Sequence, residues 1–269
     1  MAEGDPVSGC PACGGPHPGD SKLIRFCRRC GHRWLKRSAS AHAAVEASTF
    51  GPGYSGYRRD PAYMAAVEGF LRQEIVKRAP PPARLLDVGC GAGDLMSVAQ
   101  SFGYEVDGID ISAASAQIRR SRNLSSTCGD LVTHDFPQDF DVIVMWDLLA
   151  HLRDPASFIA RARKLLAPGG LLFIKTPAFG DFSVQLANRW PRAAGVLLGA
   201  PSHNQYFSRQ SLRAMLASQK FACEWIDRGS ARSPAAGGSL KRRAARRLRD
   251  LIGRISGDEN LYLVARIAG

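Results

Sequence analysis

The stretch that decides the fold reads Leu85-Leu86-Asp87-Val88-Gly89-Cys90-Gly91-Ala92-Gly93-Asp94-Leu95. Its first four residues suit a strand and follow a run of prolines, which indicates a buried parallel strand. Three glycines then alternate with small residues, and a helical pattern begins directly after them. Glycine permits a tight turn and a close approach by a ligand, and the first turn of a helix offers free N–H groups. The stretch therefore predicts a strand, a ligand-binding turn and a helix.

A second strand within residues 105–111 ends at Asp110, about 20 residues after the glycine loop. A carboxylate at that place can accept hydrogen bonds from ribose hydroxyls, so the two motifs together predict a nucleoside-containing ligand. A dinucleotide-binding loop has the spacing G-x-G-x-x-G, which needs Gly or Ala at position 94. Asp94 stands there instead, and the loop reads G-x-G-x-G with Asp87 two residues before it.

Three further blocks follow at the spacing of alternating strands and helices: Cys128-Gly129-Asp130, the run from Phe140 to Asp147, and Leu166-Ala167-Pro168-Gly169-Gly170. From about residue 83 to 269 the chain resembles the class I S-adenosylmethionine (SAM) methyltransferases. The resemblance implies an α/β fold with a Rossmann-like seven-stranded sheet and SAM as cofactor. By that resemblance the cofactor-binding residues are Asp87, Gly89, Gly91, Gly93, Asp110, Ile111, Asp130 and Trp146. In this family the acidic residue at position 130 accepts the adenine amino group, and a surface turn is the alternative interpretation.

Four of the seven cysteines form two C-x-x-C pairs, which are Cys10 with Cys13 and Cys27 with Cys30. Four thiolates suit tetrahedral Zn²⁺, and a closed shell of protein ligands indicates a structural zinc. Residues 1–37 are therefore predicted to be a small zinc ribbon with His17 and His32 at its surface. A ribbon that grips substrate or nucleic acid is the alternative. The isolated Cys90, Cys128 and Cys223 are expected to be buried thiols in a reducing compartment.

Residues 38–82 are predicted to be a bridge, with a Gly- and Tyr-rich stretch before an amphipathic helix over residues 63–76. A ribbon, a Tyr-rich segment and a SAM core in this order resemble bacterial methyltransferases that modify small molecules, often sugars or natural products. In those relatives the Tyr-rich stretch folds over the cofactor. The resemblance makes Tyr54, Tyr57 and Arg58 candidates for a lid, with Tyr57 as a cofactor-binding residue. The alternative is that the rings only pack the bridge against the core.

The apolar fourth strand of the core is followed by Ala150 and His151, and a later block begins with His203. Open α/β sheets bind ligands at the carboxyl ends of their strands, so both histidines are expected near the acceptor. A hydroxyl acceptor needs a base of near-neutral pKa, which makes His151 and His203 the candidate catalytic residues. The alternative is that they only shape the pocket. Similar quinone O-methyltransferases have an acidic residue of a metal site just before this histidine, and Ala150 argues against catalytic Mg²⁺.

The methyltransferase domain is predicted to span residues 83–269 and to contain two additions. Residues 179–207 are interpreted as a substrate cap or a dimer surface. Residues 229–257 are interpreted as a linker and a basic amphipathic helix. Between positions 241 and 254 the chain has seven Lys and Arg residues and one Asp, about half of the net charge of +12. This helix could dock on the core, bind an anionic substrate, or contact RNA or an acidic membrane.

The sequence thus predicts a SAM-dependent methyltransferase that acts on a small-molecule acceptor by in-line displacement, with O-methylation favoured over N or C. An RNA methyltransferase that binds through the ribbon and the basic helix is the first alternative. A non-catalytic SAM-binding module is the second. No signal-peptide core or membrane-spanning apolar run is found in the sequence, so a cytoplasmic location is expected. The oligomeric state is left open.

Overall fold

The computed structural model describes residues 9–16, 19–50, 61–229 and 259–268 of the 269-residue chain. Its strands are β1 (Gly19–Asp20), β2 (Ile24–Phe26), β3 (Arg33–Leu35), β4 (Arg84–Val88), β5 (Glu105–Asp110), β6 (Ser126–Cys128), β7 (Phe140–Trp146), β8 (Leu166–Ala178), β9 (Gln205–Tyr206), β10 (Phe221–Gly229) and β11 (Glu259–Ile267). Its α-helices are α1 (Ala39–Phe50), α2 (Pro61–Phe70), α3 (Val76–Arg78), α4 (Asp94–Ser101), α5 (Ala113–Ser121), α6 (Pro155–Leu165), α7 (Asp181–Arg189), α8 (Ala194–Leu198) and α9 (Arg209–Ser218). A π-helical turn (Leu71–Ile75) joins α2 to α3, and a 3-10 turn (Pro191–Ala193) precedes α8.

Seven strands form the central sheet in the order β10-β11-β8-β7-β4-β5-β6. Strands β4 to β8 are parallel, and β11 runs antiparallel to both β8 and β10. From β4 the chain moves outward to β5 and β6 on one side and then crosses to β7 on the other, so the strand order reverses at β4. Ligands of open α/β sheets bind at such a switch point. The predicted Rossmann-like seven-stranded sheet is confirmed.

Polar side chains at the N-termini of three helices determine the residue at which each helix begins. Ser112 and Asp154 each accept the backbone N–H three residues further on, at the starts of α5 and α6. Ser208 and Ser211 form a capping box at the start of α9. These polar side chains satisfy N–H groups that have no partner inside their own helix, so each helix begins at a defined residue.

A second sheet has the order β1-β2-β3-β9 and is antiparallel. Its first three strands come from the cysteine-containing segment, in which β2 ends directly before Cys27. Its fourth strand, β9, comes from far along the chain, where Gln205 pairs with Trp34 and Tyr206 with Arg33. The sheet therefore joins the N-terminal segment to the main part of the molecule.

The expectation that His32 lies at the surface is wrong. The side chain is fully buried, with its ring centroid 5.8 Å from that of Trp34 and 4.8 Å from that of Phe207. Burial lowers the pKa of His32 to about 4, so the ring is neutral at pH 7. The pairing of β3 with β9 buries this histidine, and sequence reasoning on the short segment alone did not include that contact. His17 lies outside the described residues.

The three isolated cysteines do not share one environment. Cys90 is buried, as expected, but Cys128 is exposed and Cys223 is half-buried. Cys128 is the last residue of β6, which has a strand on only one side within the described part of the central sheet. The expectation of a buried thiol is therefore wrong for Cys128.

Residues 179–207 pack mainly against the N-terminal segment. Their apolar side chains form one cluster with those of β2 and β3; its members include Ile24, Leu35, Val184, Ala187, Leu197 and Leu198. Of this segment, only Ser202 and His203 line the large cavity described below. Phe182 and Trp190 remain about half exposed, at 48% and 56%. The segment therefore contributes its C-terminal end to the site and its helices to the contact with β2 and β3.

Two predicted features lie outside the described residues. They are the Tyr-rich stretch with Tyr54, Tyr57 and Arg58, and the basic segment between positions 241 and 254. Within the part of the chain that the structure describes, no helix has the length and apolar character needed to cross a bilayer.

Candidate active site

A cavity of about 610 Å³ lies at the carboxyl ends of β4, β5 and β7. Its volume is within the usual range of small-molecule sites, about 300–1,000 Å³. The predicted site residues that line it are Asp87, Gly89, Gly91, Asp110, Ile111, Asp130, Trp146, His151 and His203. The glycine loop and the two candidate catalytic histidines therefore face one continuous space.

The three glycines of the loop have different surroundings. All have positive φ, at 74° for Gly89, 50° for Gly91 and 82° for Gly93. A Cβ atom on Gly93 would lie 2.3 Å from the side chain of Leu124, whereas one on Gly91 would have nothing within 4 Å. Gly91 therefore faces open space in which a ligand can approach the backbone. Gly93 does not line the cavity and allows α4 to pack closely against Leu124.

Asp110 holds the loop in place. One carboxylate oxygen accepts the N–H of Gly91 at 2.9 Å, and the other accepts the N–H of Ser112 at 2.7 Å. Each carboxylate oxygen has a second acceptor site, so the residue can still receive a ribose hydroxyl. The side chain thus has a structural role that sequence reasoning did not foresee.

Two arginines donate hydrogen bonds to the glycine loop: Arg119 in α5 and Arg122 at the C-cap of that helix. Arg119 is fully buried; its Nη1 donates to the carbonyl oxygen of Gly91 at 2.5 Å and its Nε to the hydroxyl of Ser126 at 2.8 Å. Arg122 donates to the carbonyl oxygen of Ala92 at 2.8 Å and to Asp94 at 2.7 Å. Sequence reasoning missed both, because the basic residues of α5 read as an exposed face.

Asp87 supplies a buried carboxylate to the cavity. It is 2% exposed, and no ion pair to it is found among the described residues. Burial, together with the negative charges of Asp110 and Asp94, raises the pKa of Asp87 to about 8. A cationic group in the cavity would favour the ionised carboxylate, so the site is suited to a ligand with an ammonium group.

The cavity lining also includes an apolar side chain, that of Ile111, and two carboxyl groups, those of Asp130 and Glu46. Ile111 is 48% exposed at the end of β5 and can cover one face of a flat ring. Asp130 follows β6, and its carboxylate accepts the N–H of Val132 at 2.9 Å. Glu46 of α1 also lines the cavity, and burial, with the negative charge of Asp130, raises its pKa. The arrangement provides hydrogen-bond acceptors beside an apolar surface.

Trp146 and Asp147 line the cavity at the end of β7. The Trp146 ring is 5.1 Å from that of Phe70 and 5.9 Å from that of Tyr262, and its Nε1 has no hydrogen-bond partner among the described residues. Asp147 has a φ of 56°, and both of its carboxylate oxygens accept hydrogen bonds from Lys175 of β8. This ion pair was not predicted. It anchors the strained backbone of Asp147 at the wall of the cavity.

The two predicted histidines lie side by side, with ring centroids 4.9 Å apart. Nδ1 of His151 is 2.9 Å from the carbonyl oxygen of Ser202, and Nδ1 of His203 is 3.1 Å from that of Leu198. A carbonyl oxygen only accepts, so each Nδ1 carries the proton and each Nε2 is the basic atom of the neutral ring. Burial lowers the pKa of His151, and it lowers the pKa of His203 to about 4.

His42 of α1 is a third imidazole at the cavity, four residues before Glu46. Burial, assisted by the positive charges of Arg37 and Arg153, lowers the pKa of His42. Helix α1 was not predicted, because its Ala-rich sequence lacks an apolar periodicity. The high helix propensity of alanine was the signal that could have revealed it.

The four predicted metal ligands lie together, outside the cavity lining. The Sγ atoms of Cys10, Cys13, Cys27 and Cys30 all lie within 4.8 Å of one another. The distance between sulfurs is 3.6 Å for Cys10 and Cys30 and 3.7 Å for Cys13 and Cys27. A tetrahedral zinc with Zn–S bonds of about 2.3 Å separates its sulfurs by about 3.8 Å, so this donor set fits such an ion.

The sheet order, the glycine loop at the switch point and the acidic residues at the strand ends define a class I methyltransferase fold. The family described as "methyltransferase domain" matches residues 59–224, which is more than half of the chain. The chain therefore belongs to this methyltransferase-domain family.

Individual relatives cover less of the chain. The ubiquinone biosynthesis O-methyltransferase of Pseudomonas aeruginosa is 33% identical over 101 residues, which are 35% of this chain and 44% of that protein. The chain thus matches less than half the length of this curated relative. The likeness is local, and it does not extend to the whole of either protein.

Solved structures share the fold at low sequence identity. The geranyl diphosphate C-methyltransferase of Streptomyces coelicolor, in complex with Mg²⁺, geranyl diphosphate and S-adenosyl-L-homocysteine, has a TM-score of 0.56 and 19% identity over 76% of this chain and 80% of its own. Coclaurine N-methyltransferase, bound to N-methylheliamine and S-adenosyl-L-homocysteine, has a TM-score of 0.57 and 15% identity over 79% and 74%. These likenesses show the fold alone.

Proposed function

We propose that this protein transfers a methyl group from SAM to a small-molecule acceptor, with oxygen favoured as the accepting atom. The observation that carries the proposal is the single cavity that joins a glycine loop and a buried carboxylate to a pair of neutral histidines. The local likeness to ubiquinone biosynthesis O-methyltransferases supports oxygen, while C- and N-methyltransferases of the same fold show that the fold by itself does not select the atom.

The cofactor half of the cavity fits SAM by its chemistry. When bound, SAM supplies a methyl group on a positively charged sulfur. Asp87 would hold the cofactor's ammonium group, and Asp110 would accept its ribose hydroxyls. Ile111 and Asp130 would hold the adenine, by contact with its face and by accepting from its amino group. The space above Gly91, where a Cβ atom would meet nothing, lets the cofactor contact the loop backbone.

In the acceptor half, His151 and His203 are proposed to remove and hold the proton of an acceptor hydroxyl. Each has an Nδ1–H bond to a carbonyl oxygen, which fixes the ring and makes Nε2 its basic atom. Burial keeps both rings neutral at pH 7, the state that a general base requires. Orientation of acceptor and methyl donor in one cavity can contribute about 7–11 kcal/mol to the rate.

The cysteine cluster is proposed to bind a structural zinc. Four sulfurs at tetrahedral spacing leave no coordination position for a substrate. The cluster lies outside the cavity lining, which supports a structural role. Metal analysis of Cys27→Ser should show loss of stoichiometric zinc, with Cys128→Ser, a cysteine outside the cluster, as the matched control. Equal zinc in both variants would refute the proposal.

Calorimetric titration with SAM, followed by a panel of phenols, sugars and amines with methyl-labelled SAM, tests the proposed function. We expect SAM binding and label transfer to at least one hydroxyl acceptor. RNA remains an outcome of the same test: steeply salt-dependent RNA binding with transfer to RNA would favour the first alternative of the sequence analysis. Failure to bind SAM would defeat the proposal.

A further inference from the structure

Gln205 is a fully buried amide whose hydrogen bonds reach two parts of the molecule. Its Nε2 donates to the carbonyl oxygens of Leu152 at 2.9 Å and Arg153 at 3.1 Å. Its Oε1 is 2.8 Å from Nε2 of His32. Because the carbonyls only accept, the amide nitrogen must face them, so Oε1 accepts and His32 carries its proton on Nε2. We call these hydrogen bonds of His32 and Gln205 the His32–Gln205 bridge. All of its donors and acceptors are assigned without conflict.

On one side, the bridge holds the turn that contains His151. Residues 149–151 form a turn outside any helix or strand, and the backbone N–H groups of Asn204 and Gln205 both donate to the carbonyl oxygen of Ala150, at 2.7 and 3.0 Å. The side chain of Asn204 adds a bond to the carbonyl oxygen of Leu152 at 3.2 Å. Residues 204 and 205 therefore supply donors on both sides of His151.

On the other side, the bridge begins beside the second cysteine pair. His32 follows Cys30 by two residues, and its carbonyl oxygen accepts the N–H of Cys27 at 2.8 Å. The imidazole ring lies against Trp34 and Phe207. Packing on two rings and a backbone bond to the cysteine pair leave His32 one orientation, with Nε2 directed at Gln205.

We propose that His32 and Gln205 are positioning residues, through which the cysteine-containing segment sets the place of His151 in the cavity. A buried polar bridge is directional and costly to break, since a lost partner leaves a desolvated donor or acceptor behind. An apolar contact in the same place would hold the cysteine-containing segment against the turn at residues 149–151. It would not fix the position and orientation of that turn. The inference rests on the proposed function only for the role of His151.

The experiment measures the histidines directly, without turnover. The protein has six histidines, so the imidazole Cε1–H signals of His151 and His203 can be followed by NMR across a pH titration of the zinc-loaded full chain. In His32→Leu we expect both signals to shift and the pKa of His151 to rise by about 0.5 or more, because a looser turn admits water. Affinity for S-adenosylhomocysteine should stay within about threefold of that of the unmodified protein.

Two further variants separate positioning from general loosening. His32→Gln retains a side-chain donor for Oε1 of Gln205, and it should restore the signals toward those of the unmodified protein. Ser218→Ala removes a different polar contact between the cysteine-containing segment and the main part of the chain: Oγ of Ser218 lies 3.2 Å from the carbonyl oxygen of Ala12 and 2.7 Å from that of Met215. This variant should leave both histidines unchanged. If His32→Leu does not fold, Gln205→Met, which keeps the side-chain length without the amide, must show the same shifts.

The proposal is overturned if His151 titrates in His32→Leu, or in Gln205→Met, as it does in the unmodified protein. It is also overturned if Ser218→Ala shifts the histidines as much, or if His32→Gln restores nothing. Loss of S-adenosylhomocysteine binding in the unmodified protein would count against the proposed function alone, since the NMR comparison does not depend on it.

Discussion

At the scale of single residues, Asp87 is the side chain whose charge most depends on what the cavity contains. Burial raises its pKa to about 8, against about 3.9 for an unfolded chain. In the empty protein this group stabilises the fold at pH below about 3.9, and that contribution is lost as pH rises through about 8. A bound ammonium group reverses the preference, because it favours the carboxylate.

Affinity for SAM is therefore expected to rise with pH between about 6 and 8, by up to tenfold per pH unit while binding releases one proton from Asp87. Calorimetry in buffers of different ionisation enthalpy measures both the affinity and the protons released. Asp87→Asn should remove this dependence and weaken binding by roughly 10- to 150-fold, the effect of losing a charge-assisted hydrogen bond of about 1.5–3 kcal/mol. Proton release that persists in Asp87→Asn would contradict the assignment.

The histidine pair makes a separate prediction for turnover. His151→Ala should lower kcat by about 10²–10⁴ with a hydroxyl acceptor, the usual contribution of a general base, and leave SAM affinity nearly unchanged. Because burial lowers the pKa of His151, the rate should fall with decreasing pH only below about 6.5. His203→Ala should have the smaller effect, since a pKa of about 4 makes His203 the weaker base. Full activity in both variants would remove histidine from the mechanism.

At the scale of secondary-structure elements, α5 is more than a crossover between β5 and β6. Arg119 and Arg122 direct two guanidinium groups at successive carbonyl oxygens of the glycine loop, those of Gly91 and Ala92. The carbonyl groups of Gly91 and Ala92 thereby gain buried partners, and the open face of Gly91 remains toward the cavity.

Arg119→Met should lower the thermal midpoint and weaken S-adenosylhomocysteine binding by about tenfold or more, because the carbonyl oxygen of Gly91 loses its buried partner. Thermal melting with and without ligand measures both effects. Arg120→Ala, an exposed position on the same helix, is the matched control and should change neither. Equal ligand-induced stabilisation in Arg119→Met and the unmodified protein would contradict this role.

Local signals allowed the elements of the sheet to be predicted. Ser112, Asp154 and Ser208 each cap a backbone N–H only three positions away, so the signal for such a helix start is contained in a short stretch of sequence. Helix α1 was missed, since its alanines give propensity without a buried face to count. The buried Arg119 was missed for a related reason: a charged residue on a helix predicts exposure, and only the contact with the glycine loop shows why it is buried.

At the scale of the whole molecule, the two sheets are not independent. Strand β9 and the cluster that includes Ile24, Leu35 and Leu197 bind the cysteine-containing segment to the main part of the chain. We therefore expect one cooperative unfolding transition for the zinc-loaded protein in calorimetry. A chelator should move that transition to lower temperature as a whole, because metal binding is coupled to folding. Two transitions, of which only one responds to the chelator, would contradict this expectation.

Residues of the cavity lining could be predicted where one motif contains them, as at Asp87 and Asp110, and the clustering of the four cysteines followed from two C-x-x-C pairs. The site was not predictable where distant segments meet. His32 and Gln205 are 173 positions apart, and neither residue type predicts a buried bridge without knowledge of the β3–β9 pairing. Lys175 likewise became part of the site because β7 and β8 are neighbours, and their ends bring it to Asp147.

The shared sheet also has a consequence for biosynthesis. The cysteine-containing segment is translated before the main sheet, and the strand that completes its own sheet is translated roughly 170 residues later. Until then Trp34 and His32 have no β9 to cover them, and the nascent chain exposes the open edge of β3 while the intervening residues are synthesised. Early metal capture would keep the first three strands ordered during that interval, and the long-range closure would come as a late step of folding.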